Sequence, residues 1–375
     1  MKKKKLFLII STVACVLLIG TVLAVKFIEQ PHKHTYGAKT YHISNDEVYY
    51  TRTCKNGCVQ RYETNATFED VLTTASAEDS IVLDENITLE NEINLQSFVT
   101  KDGVPEGLTL NINLDLRGYT INTDVEQATN NSLFMLNANY GKINMNISNG
   151  SICSQDLLYI FSFMNRGAED SIVLNINSLD CEVTGSQATP IFAHNSSSKI
   201  KLNANNSSFT SNKSTVTESE FGVGAFINTN SEFNFTNCYF QGGDAIYVKH
   251  GTVNLNGCKL VNVGLANRFE TTSDKFFAIG SCLATDSYRN SEGQTEFDIT
   301  VTDCEMVGNE SSTMIYVAQT AEAGLAASIN TNSSINVVSC SFNNDPVATI
   351  VNTGIIHYPN DVEPVNQGNQ TWIAG

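Results

Sequence analysis

The segment Gly242-Gly243-Asp244-Ala245-Ile246-Tyr247-Val248-Lys249-His250-Gly251 places a carboxylate, an amine and an imidazole close together in the chain. A carboxylate can act as general acid or base, and an amine can take a proton from a substrate carbon, so Asp244 and Lys249 are the catalytic candidates for hydrolysis or elimination. Inverting hydrolysis of a glycosidic bond needs two carboxyl groups, one protonating the leaving oxygen and one activating water. The segment supplies one. A calcium-dependent elimination would need clustered carboxylates on neighbouring strands, and no repeat position puts a second carboxylate beside Asp244. Arg166, Arg268 and Arg289 fall in loops and read as solubilising charges.

A second group lies between Pro31 and Tyr62, where His32, His34, His42, Cys54 and Cys58 alternate with Tyr36, Tyr41, Tyr49 and Tyr50. Imidazoles and thiolates at two clustered spacings can complete a tetrahedral zinc site, with His32, His34, Cys54 and Cys58 as ligands of a structural zinc. A local Cys54–Cys58 disulfide and an unstructured stalk are the alternatives that the spacing leaves open.

The elements that would position these groups repeat. Phe233, Phe235, Cys238 and Phe240 recur as Val253, Leu255, Cys258 and Leu260, each twenty positions on. Alternating apolar residues imply a strand with one buried face. The alternation slips once, at Asn237 and Gly257, types that tolerate positive φ and let the chain bend. Laid along the chain, the frame puts that bend at Gly118, Asn149, Asp180, Asn206, Asn237, Gly257, Asp303 and Ser339. Three positions before the small residue that follows each bend, an apolar residue recurs, with Ser178 the polar exception. Such recurrence, at intervals of 20 to 46 residues, is the signature of a solenoid of β-coils. Second apolar runs, among them Leu133 to Leu136, Ala245 to Val248, Phe276 to Ile279 and Met314 to Val317, give each coil three strand-sized pieces. Stacked Asn side chains at the turns can hydrogen-bond along the stack. Thr67-Phe68-Glu69-Asp70 opens a short helix suited to capping the first coil, and the end, Val362 to Gly375 with Trp372, suits the other cap.

With 375 residues and a net charge of −17, the chain can bury a large core and is a poor partner for nucleic acid. Of the ten cysteines, Cys153, Cys181, Cys238, Cys258, Cys304 and Cys340 sit at or near the bend, where they exchange with other small residues and read as packing groups. Lysines precede the unbroken apolar run Leu6 to Val25, long enough to span a bilayer as a helix. Residues 1–30 are therefore expected to be a signal-anchor, or a cleaved signal peptide ending near Ala24. Residues 31–64 form a small His/Cys module or stalk, and residues 65–375 form the repeat domain. Either way the body is exported, to a cell membrane with an extracellular domain or as a secreted protein.

From about residue 65 the pattern resembles the pectin lyase-like right-handed parallel β-helix superfamily, an all-β, single-stranded solenoid. The resemblance implies three sheets running along a coil stack, in a superfamily of lyases, hydrolases, isomerases, adhesins and inert surface proteins. Gly242 to Gly251 resembles the Gly-Asp-Asp-x-Ile-x-Ile-Lys-Ser-Gly segment of polygalacturonases. It departs from them: Asn228-Thr229-Asn230 replaces the upstream Asn-Thr-Asp, and neither the Gly-His-Gly nor the Arg-x-Lys motif follows. The His/Cys stretch resembles zinc-ribbon-like modules of Firmicutes surface proteins, although Cys54 and Cys58 have three residues between them instead of two.

If Ile246 and Val248 face inward, Tyr247 and Lys249 face out, with His194, His250 and Tyr316 on the same side. Rings stack on sugar faces and amides bond hydroxyls, so such a face suits a polysaccharide. The expectation is a non-catalytic, membrane-anchored surface protein of a Gram-positive bacterium that presents a long face to glycan or another surface partner. The alternatives are a polysaccharide lyase or glycoside hydrolase, and a structural spacer.

Overall fold

The computed structural model describes residues 35–164, 171–184, 188–194, 199–211, 222–263, 280–290, 293–308, 313–321, 332–343, 348–350, 355–358 and 371–374. It is all-β, with most strands in one large sheet whose pairings are mainly parallel. The chain divides into two units, Met1–Ala38 with Arg52–Gln60 and Lys39–Thr51 with Arg61–Gly375.

In the smaller unit Cys54 and Cys58 are joined as a disulfide, and the Cys54 amide donates to the Cys58 carbonyl at 2.8 Å. A sulfur in a disulfide is not a thiolate, so the two cysteines are not zinc ligands in this state. His32 and His34 lie outside the described residues. Among the described residues no group of three or more His, Cys, Asp or Glu side chains could hold a metal ion. The apolar run 6–25 also lies outside the described residues, and within them no helix is long and apolar enough to cross a membrane.

In the larger unit, strands of one repeat pair in parallel with the same strands of the next. Phe233 stands opposite Val253, Phe235 opposite Leu255 and Phe240 opposite Leu260. The next repeats continue the series with Val301 and Met306, then Val337 and Phe342. Period-2 alternation sends this face inward, and Phe233, Phe235, Phe240, Val253, Leu255 and Leu260 are fully buried. Each such side chain contributes roughly 1.5–3 kcal/mol through removal from water. A second series runs Ile93, Phe134, Phe161, Ile191, Ala225, Ile246, Leu283 and Ile315. In its seventh place the strand is Ser281–Asn290, whereas the apolar run Phe276 to Ile279 lies outside the described residues.

At the bend of these repeats the backbone takes positive φ at Gly118, Asn149, Asn206, Asn237, Gly257, Asp303 and Ser339, with Asn149 inside the continuous strand Lys142–Ser154. One repeat departs from the expected frame: the positive φ, 52°, falls on Ser178 and not on Asp180. Gly150 therefore opposes Leu179, and Ile152 opposes Cys181, which in turn opposes Phe209. The inward place given to Ser178 by the sequence frame belongs to Ile176, opposite Ile147 and Ala204. A two-residue slip preserves which face each side chain takes, so alternation could not expose the error.

The helix Phe68–Thr74 buries Phe68, Val71 and Leu72 and packs against strands Ile93–Gln96 and Thr109–Asp115. Thr67 and Asp70 close a reciprocal capping box at its start, satisfying two otherwise unpaired amides. At the other end, residues 359–370 are outside the described set, and strand Thr371–Ala374 pairs in parallel with Ile355–Tyr358.

Candidate functional site

The candidate segment forms strand Asp244–Asn256, flanked by Val223–Thr236 on one side and Ser281–Asn290 on the other. Ile246 and Val248 belong to the main core, whereas Tyr247 joins a separate apolar cluster with Val223, Phe226, Ala284 and Tyr316. Register explains this grouping: Phe192, Phe226, Tyr247, Ala284 and Tyr316 occupy one position on five successive strands. Their rings are in contact, with centroids 5.3 Å apart for Phe192 and Phe226 and 5.4 Å for Phe226 and Tyr247. With Phe192 partly buried, this outer row is nevertheless closed to solvent at its tyrosines, since Tyr247 is 1% and Tyr316 6% exposed. Rings so buried offer no face to a sugar, which removes both from the expected glycan contact.

After Val248 the pairing steps by one. Ile227 opposes Val248 but Asn228 opposes His250, so Lys249 is the extra residue of a bulge. Bulges re-aim side chains, and the Lys249 ammonium reaches the Asp286 carboxylate across the sheet at 3.4 Å. It also lies 5.4 Å from the Tyr247 ring centroid. On the opposite side His194, opposite Asn228, receives the Asn228 side-chain amide at Nδ1, 3.1 Å away.

The electrostatics follow from burial. His194 is pushed down to about 4 by burial and then by the Lys249 charge, so it stands neutral at physiological pH. Burial also lowers His250, with Glu296 opposing. The Tyr247 hydroxyl is driven well up by burial, then by the charges of Asp286 and Asp244. Tyr316 rises to about 12 for the same reasons in the same order. Asp244 is wholly buried and accepts the Ser281 amide at 2.8 Å. Two carboxylates, Asp244 and Asp286, thus act on the same pair of tyrosines.

Asp286 is the member that sequence reasoning missed. The sequence frame places the second apolar run of this repeat at Phe276 to Ile279, so Asp286, on Ser281–Asn290, was not among the candidates. The usable signal was Cys282-Leu283 at the offset where other repeats carry their second strand. Both carboxylates are buried, Asp244 fully and Asp286 to 3% exposure.

A different face is open. Asn113, Asn146, Asn175, Asn203, Asn234 and Asn254 occupy one mid-strand position, and the side-chain amide of each after Asn113 donates to the side-chain carbonyl of the preceding one at 2.7–3.0 Å. Asn111 and Asn144 form a parallel rung at 3.0 Å. At the turns, stacking as expected is seen where the Asn237 side-chain amide donates to Asn206 at 3.4 Å. In the mid-strand ladder Asn146, Asn175 and Asn203 each spend one N–H and one oxygen lone pair on their neighbours and keep the other N–H and lone pair, whereas Asn113 donates to the Ala77 and Asp79 carbonyls and Asn234 also to Glu232.

Comparison with protein-family models, with curated proteins and with solved structures gives no match for this chain.

Proposed function

We propose that this chain is a right-handed, single-stranded parallel β-helix of the pectin lyase-like kind, exported and held at the cell membrane by residues 6–25. It works without catalysis, presenting a long polar face to a glycan. The observation that carries the reading is the asparagine ladder: six amides at the spacing of parallel strands, about 4.8 Å, on a face with few apolar side chains. The remaining donors and acceptors match sugar hydroxyls, and a net charge of −17 favours a neutral or cationic glycan over an acidic one. The deciding experiment is a glycan array probed with the exported portion and with Asn175→Ala and Asn203→Ala. Binding lost in both variants supports the reading, and a blank array with intact protein leaves the structural spacer as its replacement.

The alternative reading is a lyase or hydrolase acting on acidic polysaccharide, which requires substrate to uncover Asp244 and Asp286, both buried here. Incubation with polygalacturonate, with and without calcium, tests it. Turnover lost in both Asp244→Ala and Asp286→Ala would replace the binding reading with the enzymatic one.

A further inference from the structure

The Lys249–Asp286 pair leads in a direction that needs neither a ligand nor the asparagine face. Other lysine–carboxylate pairs are surface contacts: Lys201 with Glu232 and Lys259 with Glu305 are each about half exposed on both sides. In Lys249–Asp286 the lysine side chain is 16% and the aspartate side chain 5% exposed. Removing two charges from water costs several kcal/mol per ion, which their attraction offsets only in favourable geometry. A reaction that abolishes both charges also abolishes that cost.

The groups needed for it are in place. The Lys249 nitrogen, a nucleophile once neutral, lies 3.4 Å from an oxygen of the Asp286 carboxyl, its electrophile. Both are fixed by neighbouring strands, in register at Val248 and Thr285 immediately before them. The Tyr247 ring centroid lies 5.4 Å from the ammonium, and the Tyr247 and Tyr316 hydroxyls both feel the Asp286 charge. Water is largely excluded from this cluster, which favours condensation over its reverse. Fixed neighbours can react with effective molarities on the order of 10⁵–10⁸ M.

We propose that Lys249 and Asp286 condense to an intramolecular amide that ties two successive repeats together. The ammonium first passes one proton to the carboxylate, giving an amine and a carboxylic acid. The nitrogen lone pair then attacks Cγ, forming the N–C bond. The Tyr247 hydroxyl protonates the departing oxygen and is itself reprotonated from the attacking nitrogen, so the C–O bond breaks and one water leaves. One ammonium and one carboxylate thus become one secondary amide and one water, with no change of oxidation state.

The test is mass spectrometry of the full-length chain after purification and denaturation. The expected result is a mass one water below that of the disulfide-bonded sequence, with a branched proteolytic peptide joined through residues 249 and 286. The branched peptide decides the matter whatever processing the N-terminus undergoes. Lys249→Arg and Asp286→Ala should each lack it. Asp286→Asn keeps the shape of the site and should still form it by releasing ammonia, so a variant that folds remains available. Tyr247→Phe should slow its appearance in protein refolded from denaturant. Unbranched peptides carrying free Lys249 and Asp286, in protein incubated for days, overturn the proposal; so does a water loss that maps to any other residue.

Discussion

The backbone amide of Cys258 donates to the sulfur of Cys304 at 3.3 Å, across 46 residues of sequence. Each of Cys238, Cys258, Cys304 and Cys340 also directs its thiol at a carbonyl of the preceding repeat or of its own turn. The four sulfurs form a column of thiols with no disulfide. Cys258 is pushed up to about 12, first by its hydrogen bond with Cys238, and Cys304 likewise, first by its hydrogen bond with Cys258.

Reactivity requires thiolate and access, and both are scarce at Cys258 and Cys304. Alkylation of native protein at neutral pH, followed by peptide mapping, should leave Cys258, Cys304 and the fully buried Cys181 unlabelled until denaturant is added. Labelling of Cys258 at the rate of a free thiol would mean that the repeats do not stack as described.

Asn175 donates to Asn146 and accepts from Asn203, both at 2.8 Å. Asn175→Ala therefore breaks two rungs at once. A loss of about 1–2 kcal/mol is expected, given roughly 1 kcal/mol per net hydrogen bond. Urea unfolding should show it as a lower midpoint with unchanged slope. A double-mutant cycle with Asn203→Ala should return a positive coupling, and additive losses would argue that the ladder carries no energy.

His194 sets an acid dependence whose sign is fixed. Its folded value, about 4, lies below the ordinary value of 6.5, because burial and the Lys249 charge penalise the imidazolium. The unfolded chain thus takes up the proton first, so the stabilisation is complete above 6.5 and is lost as pH falls toward 4. His194→Gln should flatten the stability profile across that window. An unchanged slope there would place the imidazole in water.

Gly150 has no room for a side chain: an added Cβ would meet the Leu116 side chain and the Tyr119 carbonyl oxygen of the preceding repeat. Gly150→Ala should cost about 1–3 kcal/mol through overpacking, measurable by thermal unfolding. Gly103→Ala meets nothing nearby and differs by carrying a positive φ of 79°, so it separates backbone strain from crowding.

The repeat was legible because the inward series needs only size and alternation. Phe233 over Val253 and Phe235 over Leu255 could be aligned from the chain alone and pair as aligned. The slip at Ser178 was not legible, since Asp180 is an equally good bend former two residues away. The burial of Tyr247 escaped notice because alternation distinguishes faces, and an outward face reads as a wet one unless a ring row such as Phe192, Phe226 and Tyr316 is aligned with it. Asp286 was not legible because the apolar run Phe276 to Ile279 offered a competing second strand for that repeat. The Cys54–Cys58 link was one of several outcomes that the spacing permitted.

The pairing of Leu255 with Phe235 spans 20 residues and that of Leu255 with Val301 spans 46, yet both are in-register neighbours. The ladder is therefore indifferent to how much chain is spooled out between its rungs. New excursions could be grafted at such a junction, or old ones trimmed, without re-threading the scaffold, so its lineage is free to vary the ornament while the spine keeps its gauge.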